Sequence, residues 1–295
     1  MSFQLLLVAG VLAVVSAGFA RRSSECNLPL LVHENLGDLP QEFDARTHWP
    51  HCSSIGAIFD TGSCRSSWAF AVMSTITDRY CIHKNQYLNI STQDLMTCCQ
   101  SCQNTQGLPC QDGPYTAAKE AWCYWNTTGI VTGSVYDSKS GCRPYNVTPC
   151  DHYESGSLPI CDVSYHGPKQ VCLQECEAGY PTSFAKAKHI GGKVYKVGYT
   201  TDQIKAEIMS NGPVQSAVVI DKAFTMYKSG VYTPSEAVIQ ELFVKIIGWG
   251  QDPKQGEYWL CTNSWNREWG DQGTFKIRLG KTGTYINDFV YAGMP

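Results

Sequence analysis

The chain has 295 residues, with 23 Lys and Arg against 26 Asp and Glu and a net charge of −3. That balance argues against nucleic acid or an anionic membrane surface as a partner, and a content of 43% hydrophobic and 12% aromatic residues excludes a disordered chain. Fifteen cysteines, an odd number, point to an oxidising compartment.

The run Leu5 to Val15, followed by Val15-Ser16-Ala17, reads as a secretory signal over residues 1–17. It is too short, and too soon followed by Arg21-Arg22, to span a membrane, and no later segment is long and apolar enough to do so. Sequons at Asn89, Asn126 and Asn146 suit a secreted glycoprotein. Residues 18–38 form a short polar stretch, a pro-region or N-terminal extension, ahead of one domain over 39–295. The spacing of Trp68, Phe70, Val72, Met73, Ile76 and Tyr80 predicts an amphipathic helix from Ser67 to Ile82. Helices are also predicted over Ser91 to Thr97, Tyr115 to Trp125 and Thr200 to Asn211, the last stopped by Gly212-Pro213. From about residue 100 to 192 the chain is loop-rich, with ten cysteines between Cys98 and Cys176. Strand-like runs follow at Val214–Ile220, Phe243–Trp249, Tyr258–Thr262, Thr274–Leu279 and Tyr285–Tyr291. A helical half followed by an antiparallel half predicts an α+β protein of two lobes with a cleft between them.

Several motifs carry a resemblance. Gly62-Ser63-Cys64-Arg65-Ser66-Ser67-Trp68-Ala69-Phe70 resembles the nucleophile segment of papain-like cysteine peptidases, where Gly-Ser-Cys-Gly-Ser-Cys-Trp-Ala-Phe is usual. Ile247-Gly248-Trp249-Gly250 resembles the end of the family's His-bearing strand, and Asn263-Ser264-Trp265 with Trp269-Gly270-Asp271 its Asn segment. Leu39-Pro40-Gln41-Glu42-Phe43-Asp44-Ala45-Arg46 resembles the start of the mature domain. The paired Cys98-Cys99, the segment Gly141 to Tyr145 and the loop Cys150-Asp151-His152-Tyr153 running to Cys161 are similar to the cathepsin B branch, whose occluding loop confers dipeptide trimming. The resemblance implies a papain-like fold, with a helical left lobe and an antiparallel, barrel-like right lobe. It also implies the bridges Cys52–Cys81, Cys64–Cys110, Cys98–Cys172, Cys99–Cys102, Cys142–Cys176 and Cys150–Cys161. Cys26, Cys123 and Cys261 remain; Cys123 and Cys261 read as buried free thiols.

Papain-like chemistry needs a thiolate at a helix N-terminus, a His as base and then acid, an Asn to orient it, and a Gln amide in the oxyanion hole. The matching positions here hold Ser67, Leu242, Asn263 and Thr61, so only the Asn survives. A serine hydroxyl without a base is a weak nucleophile, and Leu242 cannot accept a proton. His152 is the candidate for a substitute base. Other departures agree: Asp112-Gly113 stands where a glycine pair backs substrate, Phe289 where an acidic residue lines a pocket, and Tyr153 where a second His grips a carboxylate. Trp265 is expected to wall the cleft. His48, His51 and Cys52 have metal-like spacing, but Pro50 breaks a helix there and Cys52 belongs to a bridge, so no metal is expected, nor any other cofactor.

These readings predict a monomeric, secreted or endolysosomal pseudopeptidase whose cleft takes up peptides, pro-segments or cystatin-like inhibitors. The competing expectations are an active cathepsin B-like peptidase, and a structural or adhesive extracellular protein like those relatives that also carry Ser at the nucleophile position.

Overall fold

The computed structural model describes residues 26–103, 110, 116–162, 171–235, 237–280 and 284–295. The expected signal segment and the cleft positions Asp112 and Gly113 lie outside the described residues. In chain order the elements are β1 (Leu30–Leu31), β2 (Phe43–Asp44), α1 (Ala45–His48), α2 (Ser67–Lys84), α3 (Thr92–Cys98) and α4 (Ala117–Thr127). Then come β3 (Lys193–Val197), α5 (Thr201–Asn211), β4 (Val214–Ile220), α6 (Lys222–Thr225), β5 (Val231–Tyr232), β6 (Gln240–Asp252), β7 (Gly256–Thr262), β8 (Thr274–Arg278) and β9 (Tyr291–Met294).

Side-chain caps fix the helix starts. Ser91 accepts the Asp94 N–H at 2.9 Å to open α3, and Thr200 and Asp221 do the same for α5 and α6 through Gln203 and Phe224. Asn85, left-handed at φ 51°, closes α2. The strands form one sheet in the order β1-β3-β9-β4-β6-β7-β8-β5, with β2 added on β6. Pairing is antiparallel except at the two ends, where β1 and β5 run parallel to β3 and β8. Where β2 meets β6, Gly248 stands opposite Asp44, and a Cβ there would collide with the Phe43 carbonyl.

The α+β, two-lobed expectation holds: one core gathers α2, α3 and α4, the other lies on the sheet around Trp249, Trp259, Phe275 and Phe224. Two local expectations need correction. Helix α2 is not amphipathic: every residue from Trp68 to Cys81 is buried, Asp78 and Arg79 included, because the helix runs between the lobes and meets β6, β9 and α4. The predicted strand Tyr285–Tyr291 is mostly a turn, with Tyr285 at φ 56° and the Asp288 N–H donating to its carbonyl at 2.9 Å; the strand begins at Tyr291.

Six bridges join Cys52–Cys81, Cys64–Cys110, Cys98–Cys172, Cys99–Cys102, Cys142–Cys176 and Cys150–Cys161. A seventh joins Cys26 to Cys123, which corrects the reading of Cys123 as a free thiol. Cys261 is free and buried, and burial pushes its thiol pKa well up.

Candidate functional site

The cleft is built where α2 begins. Gly62 takes a left-handed turn (φ 59°) so close to the Thr148 carbonyl that no side chain fits, which sets the path of the loop into Ser67. The loop is tied down from both sides. The Thr61 N–H donates to the Ser264 carbonyl at 2.9 Å, while the Tyr145 hydroxyl donates to the Thr61 carbonyl at 2.8 Å and lies 3.1 Å from Ser66 Oγ.

Ser67 is the first residue of α2, where backbone N–H groups lack intrahelical acceptors. Its hydroxyl oxygen accepts the N–H of Phe243 at 3.3 Å. That N–H is available because β7 pairs with β6 only from Lys245 onward. Leu242, one residue earlier on β6, is 2% exposed and packs into the right-lobe core. The Thr61 hydroxyl points to its own neighbour, the Gly62 carbonyl, at 3.4 Å. Asn263 is buried; its Oδ1 accepts the Ser264 N–H at 2.7 Å, and its Nδ2 has no partner among the described residues. Thr61, Ser67 and Leu242 are thus brought together around one cavity, which Asn263 does not line.

A cavity of about 250 Å³ opens over Ser67, lined also by Thr61, Leu242, His152, Tyr153 and Trp265. Arg65, Ile160, Asp162, Gln240 and Glu241 line it too, and sequence reasoning singled out none of them. Arg65 carried a signal, since it stands where the resembling motif has glycine. Phe289, expected at the cleft, does not line this cavity; it is half-buried against the left-lobe core, with Lys196 Nζ 5.9 Å from its ring.

The loop from Cys150 to Cys161 roofs one end. Asp151 accepts the N–H groups of Gly156 (2.6 Å) and Leu158 (2.9 Å), Glu268 accepts that of Ser157 at 3.0 Å, and Glu154 pairs with Lys228. His152 Nε2 lies 2.9 Å from Asp60 Oδ1, and its ring stacks on Trp265 at 5.7 Å. Tyr153, left-handed at φ 63° and 44% exposed, leans its ring on the same tryptophan at 4.9 Å. A bulky residue in that backbone region is strained, and such strain is held only where surrounding contacts fix it.

Two clusters among the described residues have metal-like compactness, His51 with Cys52 and Cys81, and His152 with Cys150 and Cys161. In both the sulfurs are bridged to one another, so each offers a single imidazole, too few donors for a metal.

Residues 39–294 match the papain family of cysteine proteases. The chain belongs to the papain family. It is 37% identical, over 90% of its own length and 76% of the relative's, to a cathepsin B-like cysteine proteinase of Schistosoma japonicum. A similar match, 38% identical over 87% of this chain and 75% of the relative, is to cathepsin B-like cysteine proteinase 5 of Caenorhabditis elegans. Among solved structures, proCathepsin B S9 from Trypanosoma congolense superposes with a TM-score of 0.73 at 29% identity, covering 92% of this papain-family chain and 83% of that one. Digestive procathepsin L 3 of Tenebrio molitor shares the fold, with a TM-score of 0.66 at 18% identity over 92% of this chain and 75% of that one. The chain is therefore a cathepsin B-like member of the papain family. Among the described residues no helix is long and apolar enough to cross a membrane.

Proposed function

We propose that this chain is a catalytically inactive cathepsin B-like protein, secreted or endolysosomal, that takes up a peptide, a pro-segment or a cystatin-like inhibitor in its cleft without cleaving it. The observation that carries the reading is the trio Ser67, Leu242 and Thr61 around one cavity, walled also by His152, Tyr153 and Trp265. Attack by Ser67 requires a base to take its proton, and Leu242 has none to offer. His152 is the one imidazole on the cavity wall among the described residues, and its Nε2 is already engaged by Asp60. In a serine peptidase, loss of either nucleophile or base costs roughly a million-fold in turnover. A missing oxyanion donor costs about 2.7–4 kcal/mol of transition-state stabilisation. These effects are not additive, but all act in one direction.

Hydrolysis of a dye-releasing dipeptide substrate by the purified protein, beside the revertant Thr61→Gln, Ser67→Cys, Leu242→His, tests the catalytic half. The native chain is expected to be silent and to resist labelling by an epoxide thiol reagent, while the revertant cleaves. Cleavage by the native chain that is abolished by Ser67→Ala overturns the reading, with His152 the first base to examine. Calorimetry against a cystatin and a set of peptides tests binding; no heat with any of them removes the binding half.

A further inference from the structure

The polar stretch before Leu39 reads in the sequence as a pro-region or an N-terminal extension, and its contacts in the fold are those of an integral part. Cys26 is bridged to Cys123 on α4, ninety-seven residues away, and Leu28 packs on the left-lobe core beside it. Two residues further on the segment changes lobes. The Pro29 carbonyl accepts the Lys196 N–H and the Leu31 carbonyl the Gly198 N–H, both at 2.9 Å, which makes β1 the outermost strand of the sheet, and Leu31 packs on the right-lobe core. Then His33 closes on α5. Its backbone N–H donates to Gln203 Oε1 at 2.6 Å, its carbonyl accepts Gln203 Nε2 at 3.0 Å, and its ring Nε2 lies 2.9 Å from Glu207 Oε2. Glu207 is fully buried and paired with Arg79 of α2.

We propose that residues 26–38 are a permanent strap that ties the helical lobe to the sheet lobe, kept in the working protein rather than released as an inhibitory pro-segment. Three independent attachments support this: a covalent one to the left lobe, a β-ladder to the right lobe, and a hydrogen-bonded clasp on α5. None of these residues lines the cleft cavity. Through Glu207 the strap reaches α2 at Arg79, twelve residues beyond Ser67 and so about 18 Å along the helix from the cleft. A pro-segment that blocks a cleft must lie in it and leave it; this one lies elsewhere and is covalently held. Residues 26–38 consequently leave the cleft cavity uncovered. The proposal stands whether or not the cleft catalyses.

The strap contains neither Lys nor Arg but exposes Glu34, a site for a glutamate-specific endoprotease. The secreted protein is digested with that protease under native conditions, and its intact mass is read without reductant, beside the double variant Cys26→Ser, Cys123→Ser. In the native chain, residues 26–34 are expected to stay with the domain even after cutting at Glu34. In the variant the same cut releases them. The variant's unfolding temperature should fall by about 5–10 °C, from loss of a crosslink closing a long loop. Should the variant fail to be secreted, Gln203→Ala keeps the bridge but opens the clasp, with an expected fall of about 1–3 °C. A secreted protein whose N-terminus lies at or beyond Leu39, or loss of residues 26–34 without reductant, overturns the proposal. So does an unfolding temperature unchanged in every variant.

Discussion

The two halves of helix α2 pose opposite problems to the sequence that fills them. At its start, Ser67 faces a solvent-open cavity with Thr61 and Leu242 around it, and none of the three carries a charge. Eleven residues on, Asp78 and Arg79 are fully buried. Asp78 meets Lys245 of β6 at 2.6 Å; Arg79 meets Glu207 at 2.9 Å and donates to the Pro213 carbonyl (2.9 Å), the Gly212 carbonyl (3.0 Å) and the Tyr195 hydroxyl (3.0 Å). Removing one member of such a buried pair strands a charge, whereas exchanging groups at the mouth of a wet cavity strands nothing. Exchange at the cavity end of α2 is therefore cheap and exchange at its buried end costly, so the two ends of one helix answer to different demands.

The largest effect should come from Arg79→Ala, which leaves Glu207 buried without its cation and the Pro213 carbonyl, the Gly212 carbonyl and the Tyr195 hydroxyl short of a donor. A loss of about 3–5 kcal/mol is expected from denaturant unfolding. A loss below about 1 kcal/mol would break the contrast between the two ends of the helix.

Acid should weaken the same network. Burial by itself would raise the Glu207 pKa, but the Arg79 guanidinium and hydrogen bonds from His33, Tyr195 and Asn211 hold it down at about 2. A carboxyl depressed in the folded state stabilises it above the unfolded pKa, and that stabilisation fades as pH falls toward 2. From an unfolded value of 4.5 the loss amounts to about 3 kcal/mol, spread between about pH 5 and pH 2. Asp78 is shifted upward by burial and offsets part of it. Unfolding followed against pH should show Glu207→Gln less stable near neutrality and less acid-sensitive than the parent; equal slopes would locate the acid response elsewhere.

What the sequence disclosed follows the same division. Short-range patterns were legible: the segment from Gly62 to Phe70 that opens α2 and the stop Gly212-Pro213 after α5 both announce themselves within a few residues. Contacts between distant segments were not. Nothing near Cys26 points to Cys123, nothing in Leu30-Leu31 points to a strand of two residues, and the period of α2 cannot tell a helix packed on one face from one packed on all. The cleft residues Gln240 and Glu241 were missed because polar residues look alike in sequence whether they face a cavity or bulk water.

Asn126 lies between these extremes. As a sequon it reads like Asn89 and Asn146, which are exposed, but its side-chain amide donates to the carbonyls of Gly191 at 2.9 Å and Gly192 at 2.8 Å, bracing the chain that enters β3. A glycan on that nitrogen would replace one of the two donated hydrogens. Glycopeptide mapping should find sugar on Asn89 and Asn146 in preference to Asn126, and Asn126→Asp should lose about 1–2 kcal/mol. Full occupancy of Asn126 with unchanged stability would show that the brace is dispensable.

The smallest effect belongs to Ser67→Ala. On the function proposed above the Ser67 hydroxyl performs no chemistry, and its contact is to accept the N–H of Phe243 at the edge of the cavity. Once the hydroxyl is gone, water entering the cleft can accept that N–H, so only the net value of one hydrogen bond is lost, about 0.5–1 kcal/mol. Helix α2 keeps its start, because the loop before it is held by Thr61, Tyr145 and Ser264 rather than by Ser67. Peptide or cystatin binding measured on this variant should match the parent within a factor of about 5. A loss of 3 kcal/mol or more would mean that Ser67 is structurally required, and that its presence at the nucleophile position reflects the demands of the fold rather than release from those of catalysis.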